Sequence, residues 1–165
     1  MARPAGSRGR RLSAAAPIVR ALRAEDRAQW GVLWDGYNAF YERVGPNAIA
    51  PEMTATTFAR FLDPAEPMHA LVAADGDRLV GIAHLIYHRN TTMQGMICYL
   101  QDLFAAPEMR GRGIGRALIE AVYAHAKAAG STRVYWGTHA SNTTARRLYD
   151  RVAAHYGFVI YRKDI

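Results

Sequence analysis

The sequence predicts a mixed α/β domain, a mostly antiparallel central sheet with helices on both faces, in the order β-α-α-β-β-β-α-β-α-β. Three observations carry this expectation. Aromatic and aliphatic residues recur at three- and four-residue spacing from Trp30 to Val44, the period of one helical face. Three apolar runs between residues 69 and 104 are separated by turn chemistry or a polar connection, the pattern of a strand meander. A glycine-rich stretch, Arg110-Gly111-Arg112-Gly113-Ile114-Gly115, joins the last of those runs to an amphipathic segment. Strands alternating with helical segments argue for a layered sheet covered on both sides.

The elements follow in order. Pro17 to Leu22 reads as a first strand, and Ala24-Glu25-Asp26 supplies acidic residues for a helix start. Trp30, Leu33, Trp34, Tyr37, Phe40, Tyr41 and Val44 form the inner face of the first helix, which Gly45-Pro46 is expected to end. A shorter helix from Pro51 to Leu62 turns Phe58, Phe61 and Leu62 inward, before Asp63-Pro64 and Glu66-Pro67 break the pattern. His69 to Ala74, the turn Asp75-Gly76-Asp77 and Leu79 to His88 form a hairpin. A polar loop over 89–95 leads to a third strand, Met96 to Phe104. The glycine turn then opens a helix from about Gly113 to Ala129. Ala117, Leu118, Ala121, Val122 and Ala124 are its packing side, and Gly130 is its stop. Arg133 to Gly137 is a short strand, Ser141 caps a helix from Asn142 to about Ala154, and Phe158 to Tyr161 is a last strand.

At 165 residues the chain suits one domain with its own core. Half of the residues are hydrophobic, yet no apolar run approaches membrane-spanning length. A single cysteine, Cys98, excludes an internal disulfide and a cysteine-rich zinc site. The net charge of +7 is concentrated at the start: residues 1–24 hold six arginines and no acid, leaving the remainder nearly neutral. That distribution argues against a nucleic-acid-binding surface spread over the domain. Residues 1–16 read as a disordered basic leader without the apolar core of a secretory signal, and residues 17–165 as a single domain. A cytoplasmic location is expected.

The glycine turn carries the first functional signal. A helix start presents unpaired N–H groups and the positive end of the helix dipole, and glycines let a phosphate approach them closely. A nucleotide P-loop is excluded because no Gly-Lys pair occurs. A dinucleotide fingerprint fails because Arg116 or Leu118 falls where its third small residue belongs. The spacing Arg110-x-x-Gly113-x-Gly115 resembles the coenzyme A pyrophosphate loop of the GCN5-related N-acetyltransferases (GNAT). The resemblance extends to Tyr99-Leu100-Gln101-Asp102-Leu103-Phe104 and to Asn142-x-x-Ala145-x-x-Leu148-Tyr149. Trp34-x-x-Tyr37-x-x-Phe40-Tyr41 and Gly157-Phe158-Val159-Ile160-Tyr161 are similar to the branch holding diamine acetyltransferases and yeast Hpa2-type acetyltransferases.

The resemblance implies an acetyl-CoA-dependent N-acetyltransferase and assigns residues to it. Backbone groups of Leu103, Phe104 and Ala105 would pair with the pantetheine arm. Arg110, Gly111, Arg112, Gly113, Ile114, Gly115 and Arg116 would surround the pyrophosphate. Asn142, Thr143, Thr144 and Ala145 would line the cleft, and Tyr149 would lie beside the thioester sulfur. A tyrosine with an ordinary pKa of about 10 stays protonated at neutral pH and can reprotonate a leaving thiolate. In diamine acetyltransferases a glutamate stands where this chain has Gln101, which cannot act as a base. Asp102 and Glu42 are candidates for attracting a cationic amine, and Tyr37 and Tyr41 for bordering its pocket.

The acceptor is expected to be a primary amine, on a polyamine-like or amino-acid-like small molecule. A lysine of a protein or peptide is the alternative, and a non-catalytic coenzyme A-binding module a second one. His84 and His88, two turns of a strand apart, lack an acidic partner for a metal motif and read as structural or exposed; no metal is expected. An unpaired sheet edge near the short C-terminal end suggests a homodimer.

Overall fold

The structure is a computed structural model that describes residues 17–165; the basic leader lies outside them. Nine elements follow in chain order: β1 (Ile18–Ala21), α1 (Arg27–Phe40), α2 (Pro51–Leu62), β2 (Met68–Asp75), β3 (Arg78–Asn90), β4 (Met93–Ala105), α3 (Ile114–Ala128), β5 (Val134–Tyr135) and α4 (Thr143–Val152). They build one five-stranded sheet in the spatial order β1-β2-β3-β4-β5. The first three pairings are antiparallel, and β5 joins β4 in parallel. The mixed, mostly antiparallel sheet is therefore as expected, with α1 and α2 packed on one face and α3 on the other.

Local chemistry explains most boundaries. Asp26 closes the corner before α1 by accepting the Arg23 N–H at 2.8 Å and both guanidinium arms of Arg20, at 2.6 and 2.8 Å. Pro51 starts α2, where its missing N–H costs nothing. The Gln29 side chain holds the β2–β3 turn to α1, accepting from Leu79 N at 2.8 Å and donating to Asp77 O at 3.0 Å. Helix α3 ends as expected at Gly130 (φ +73°), where Ser131 N reaches Ala126 O and Gly130 N reaches Lys127 O, a Schellman motif.

Several expectations change. Helix α1 stops at Phe40, five residues before Gly45-Pro46, because Glu42 takes a left-handed conformation (φ +57°). Arg43 N then bonds Asn38 O, and Glu42 N bonds Ala39 O. Phe40 and Val44 are consequently exposed rather than internal, as are Leu62 and Ala124. The 89–95 segment is a tight turn between two strands longer than expected, with Asn90 Oδ1 accepting from Thr92 N and Oγ1. Asn142, not Ser141, caps α4 by accepting the Ala145 N–H. Residues 158–161 do not form a strand: the chain beyond α4 runs without strand pairing, and Phe158 and Tyr161 are 86% and 92% exposed.

Two packing layers result. On the α1 face Trp30 is fully buried, stacked on Trp34 and tilted against Phe58. On the α3 face Leu118, Ile119 and Val122 are fully buried, each stabilising the fold by about 1.5–3 kcal/mol.

Candidate active site

The site begins where β4 and β5 part. They pair only at Cys98↔Val134 and Tyr99↔Tyr135, so the β5-facing edge of β4 from Leu100 to Ala105 has no strand partner among the described residues. Leu103, Phe104 and Ala105 all lie on that edge, half-buried. Unpaired main-chain groups in such a cleft can take an extended ligand as a further strand.

The glycine turn follows at the end of β4. Pro107–Met109 form a 3₁₀ turn, and Gly111 (φ +75°) and Gly113 (φ +80°) then adopt left-handed conformations that aim the chain into α3. No side chain caps α3. The first bond of the helix is Ala117 N to Gly113 O, and no described group accepts from the amides of Gly113, Ile114, Gly115 or Arg116. Added Cβ atoms at Gly111 and Gly113 would meet nothing within 4 Å. The result is an open cradle of main-chain donors at the positive end of a 15-residue helix, a site for an anion. The arginines around it are surface groups: Arg110 is exposed, Arg112 pairs with Asp75 at 3.3 Å and Arg116 with Glu120 at 2.8 Å. Ile114 is buried beneath the loop and anchors it.

Helix α4 forms the opposite wall. A Cβ at Gly115 would lie 3.2 Å from Leu148 Cδ2, so glycine lets the two helices approach closely. Asn142 and Ala145 are half-buried, while Thr143 and Thr144 face solvent. Tyr149 stands edge-on to Trp136 with ring centroids 5.3 Å apart. Burial, with the nearby Tyr41 as the smaller cause, pushes its hydroxyl up to about 12, and that hydroxyl makes no bond among the described residues. It is thus a protonated donor free to serve a ligand.

The floor of the site depends on a bulge. Leu85 faces Leu100 but His84 faces Asp102, so Gln101 is one residue too many. The extra residue reverses the alternation of side chains. Leu100 shares the α3 face with Leu85, whereas Asp102 turns to the α1 face and meets His84. Gln101 is left exposed. His84 is 1% exposed and Asp102 7%. Trp30 Nε1–H donates to His84 Nε2 at 3.0 Å. An indole only donates, so His84 carries its proton on Nδ1 and gives it to Asp102 Oδ2 at 2.8 Å. The contact is a hydrogen bond from a neutral ring, not an ion pair.

Tyr37 lies within hydrogen-bonding reach of Asp102, and Tyr41 and Tyr99 lie near enough to feel its charge. Burial raises Tyr37, Tyr41 and Tyr99, and the Asp102 charge pushes each of them further in the same direction. Tyr37 and Tyr41 lie 5.0 Å apart, Tyr99 lies 4.9 Å from Tyr135, and His139 is 6.0 Å from Tyr41. Arg43 stacks over both Tyr37 and Tyr41. Glu42, by contrast, is exposed beyond the end of α1, with no bond to this group. His88 is half-buried and shares a 2.7 Å hydrogen bond with Tyr135, and the described residues contain no metal-holding group of histidine, cysteine or carboxylate side chains. An open cleft of about 630 Å³ lies along the outer side of α1, between Val32, Phe40, Leu79, Phe104 and Arg110; neither Tyr149 nor Asp102 lines it.

Sequence reasoning missed His84 and Trp30 as members of the site. They are 54 residues apart, and only strand pairing and helix docking bring them to Asp102.

Comparison with known proteins agrees with this geometry. The model for the acetyltransferase (GNAT) family matches residues 30–154. The D-amino-acid N-acetyltransferase HPA3 of Saccharomyces cerevisiae is 36% identical over 150 residues, covering 89% of this chain and 90% of that protein. The thialysine N-epsilon-acetyltransferase of Caenorhabditis elegans is 29% identical over 85 residues, 52% of each chain. A solved aminoglycoside acetyltransferase from an uncultured soil metagenomic sample superposes with a TM-score of 0.77 at 18% identity, over 91% of this chain and 97% of that one. The donor cradle, the splayed strands and the free tyrosine hydroxyl thus occur in a chain that belongs to the GNAT family of acetyltransferases.

Proposed function

We propose that the chain uses acetyl-CoA as acetyl donor and transfers the group directly to a primary amine of a small, polyamine-like or amino-acid-like molecule. The observation that carries this reading is the row of unbonded amides from Gly113 to Arg116, beside an unpaired β4 edge and opposite the free hydroxyl of Tyr149. The cradle fits a diphosphate because its glycines leave open the space that Cβ atoms would fill. When bound, acetyl-CoA would supply the activated thioester. Amides of Gly111 and of Gly113, Ile114, Gly115 and Arg116 hold the diphosphate, with the Arg110 and Arg112 side chains beside them. Backbone groups of Leu103, Phe104 and Ala105 extend the sheet onto the pantetheine arm, with Asn142, Thr143, Thr144 and Ala145 along the other wall. An amide of the β4 edge stabilises developing negative charge on the carbonyl oxygen. Tyr149 gives a proton to the departing sulfur.

The small-molecule amine acceptor is supported by the named activities of the yeast and nematode relatives. Free thiol released by full-length protein is measured with acetyl-CoA and a panel of D-amino acids, thialysine, polyamines and a lysine-rich peptide. Release with small amines supports the reading; release with the peptide alone overturns its acceptor class; binding of acetyl-CoA without any release reduces the chain to a coenzyme A-binding module.

The reading includes a homodimer and a cytoplasmic place of action, where acetyl-CoA is made available to soluble enzymes. No described helix is long and apolar enough to cross a membrane. The dimer is supported by the apolar residues Tyr156, Phe158, Val159, Ile160 and Tyr161, all exposed, and by the open outer edge of β5.

A further inference from the structure

Asp26 and Asp102 are the buried carboxylates of the described residues. Asp26 is held by the Arg20 guanidinium. Asp102 has no arginine or lysine partner among the described residues; its bonded neighbour is His84, which the indole of Trp30 fixes as a neutral donor. A buried carboxylate without a cation is costly, and proteins pair such groups. The His84 ring from β3 bonds it, the Tyr37 hydroxyl from α1 lies within hydrogen-bonding reach, and Tyr41, just past α1, and Tyr99 from β4 lie near enough to feel its charge. Arg43 stacks on Tyr37 and Tyr41, Tyr135 lies beyond Tyr99, and His139 beyond Tyr41. Aromatic rings around one negative group form a receptor for an organic ammonium ion.

We infer that Asp102 receives the acceptor's ammonium group and takes its proton, with His84 and Trp30 as positioning residues and the Tyr37 hydroxyl as the path inward. The inference rests on the acetyltransferase reading above. Gln101 cannot accept this proton, and Glu42 is exposed beyond α1, outside the group around Asp102. The balance closes. The ammonium N–H proton passes to Tyr37, whose own hydroxyl proton moves to an Asp102 oxygen. The free amine then forms the C–N bond as the C–S bond breaks. The thiolate takes a proton from Tyr149, the new amide nitrogen returns one to it, and Asp102 releases its proton to water. One proton is set free per acetyl group moved.

The Trp30–His84 pair makes this possible by geometry. A histidine that donates from Nδ1 holds one Asp102 oxygen still and leaves the other for the tyrosine side. The Gln101 bulge is the backbone device that points Asp102 there.

The test compares wild type, Asp102→Asn, His84→Phe and His84→Asn, each as the full chain, with thialysine and D-phenylalanine as amine probes from pH 6 to 10. Acetyl-CoA affinity is measured separately by calorimetry. Asp102→Asn is expected to lose about 10²-fold or more in kcat/KM at pH 7. The deficit should shrink about tenfold per pH unit until pH reaches the probe's own amine pKa, about 10 for a side-chain amine and lower for an α-amino group. Acetyl-CoA affinity should stay within twofold. His84→Phe, which cannot donate, should show the same pH profile. His84→Asn, which keeps a donor near the Nδ1 position, should restore much of the wild-type profile. A purely structural role predicts an equal loss at every pH and a weaker acetyl-CoA complex, and that result overturns the inference. So does an Asp102→Asn profile matching wild type. Wild-type protein that acetylates neither these probes nor any amine of the wider panel overturns the acetyltransferase proposal itself.

Discussion

Gly81 lies directly beneath Ile114, the first residue of α3. A Cβ at position 81 would stand 2.8 Å from Ile114 Cγ2, 3.0 Å from Leu118 Cδ1 and 3.0 Å from the Phe104 carbonyl oxygen. One missing side chain in β3 thus sets both the height of the anion cradle and its distance from the β4 edge. Gly81→Ala should destabilise the fold by about 1–3 kcal/mol, since the Phe104 backbone cannot yield. It should also weaken acetyl-CoA binding because it tilts α3. Urea unfolding and calorimetry on the same preparation check both effects.

Gly113 tests the cradle itself. Its φ of +80° is left-handed, so Gly113→Ala strains the loop by about 1–2 kcal/mol, although no protein atom would touch the new methyl. The methyl would instead occupy space open to the ligand. A loss of acetyl-CoA affinity above tenfold is expected, larger than the loss of stability explains. Calorimetric affinity unchanged from wild type would contradict the placement of the diphosphate.

Tyr149→Phe removes a hydroxyl with no partner among the described residues, so stability should change by less than about 0.5 kcal/mol. The turnover number should fall about 10²-fold with little change in the acetyl-CoA KM. Because burial holds this hydroxyl at about 12, it stays protonated throughout the working range. Wild-type kcat should therefore show no fall attributable to Tyr149 between pH 7 and 10. Steady-state kinetics of the two proteins across that range decide the matter.

Acid should weaken the opposite face of the sheet. The rings of His69 in β2 and His125 in α3 have centroids 5.2 Å apart, and Tyr87 shares a 2.8 Å hydrogen bond with His125 Nδ1. Burial lowers both imidazoles, and the neighbouring His125 lowers His69 further. The folded state resists protonation that the unfolded chain accepts. Stability should be unaffected by these groups above about pH 6.5 and should decline as pH falls below it. Asp26 adds a separate loss at lower pH, because Arg20 holds its carboxyl below the usual carboxylate range. Denaturation midpoints from pH 8 to 4, with His69→Gln flattening the first decline, check the assignment.

The exposed tail gives the last expectation. Light scattering at micromolar concentration should report a dimer, and removal of residues 156–165 should yield a monomer that retains its helices by circular dichroism. A monomeric mass for the full chain would remove the dimer from the reading.

The legible parts of this molecule were the local ones. The first-helix aromatic spacing, the meander, the glycine turn and the Gly130 stop follow from periods of two or 3.6 and from backbone conformations that glycine permits. The apolar residues 158–161 read as a strand for the same reason, but a strand exists only where its main chain pairs with a neighbouring edge, and the tail pairs with none. Phe40 and Val44 matched the helical period and still face solvent, because the left-handed turn at Glu42 ended the helix before its face was completed.

The sequence alone determined the family motifs, the strand-turn-helix that forms the donor cradle, and the tyrosine that opposes it, since each is written within a few neighbouring residues. Tertiary structure decided the surroundings of Asp102. A single extra residue in β4 turns that carboxylate to the α1 face, and docking of a helix 54 residues distant in the chain supplies the indole that orients His84 against it. Register and helix docking are set by long-range burial, and no local pattern of residues encodes the partner that burial will choose.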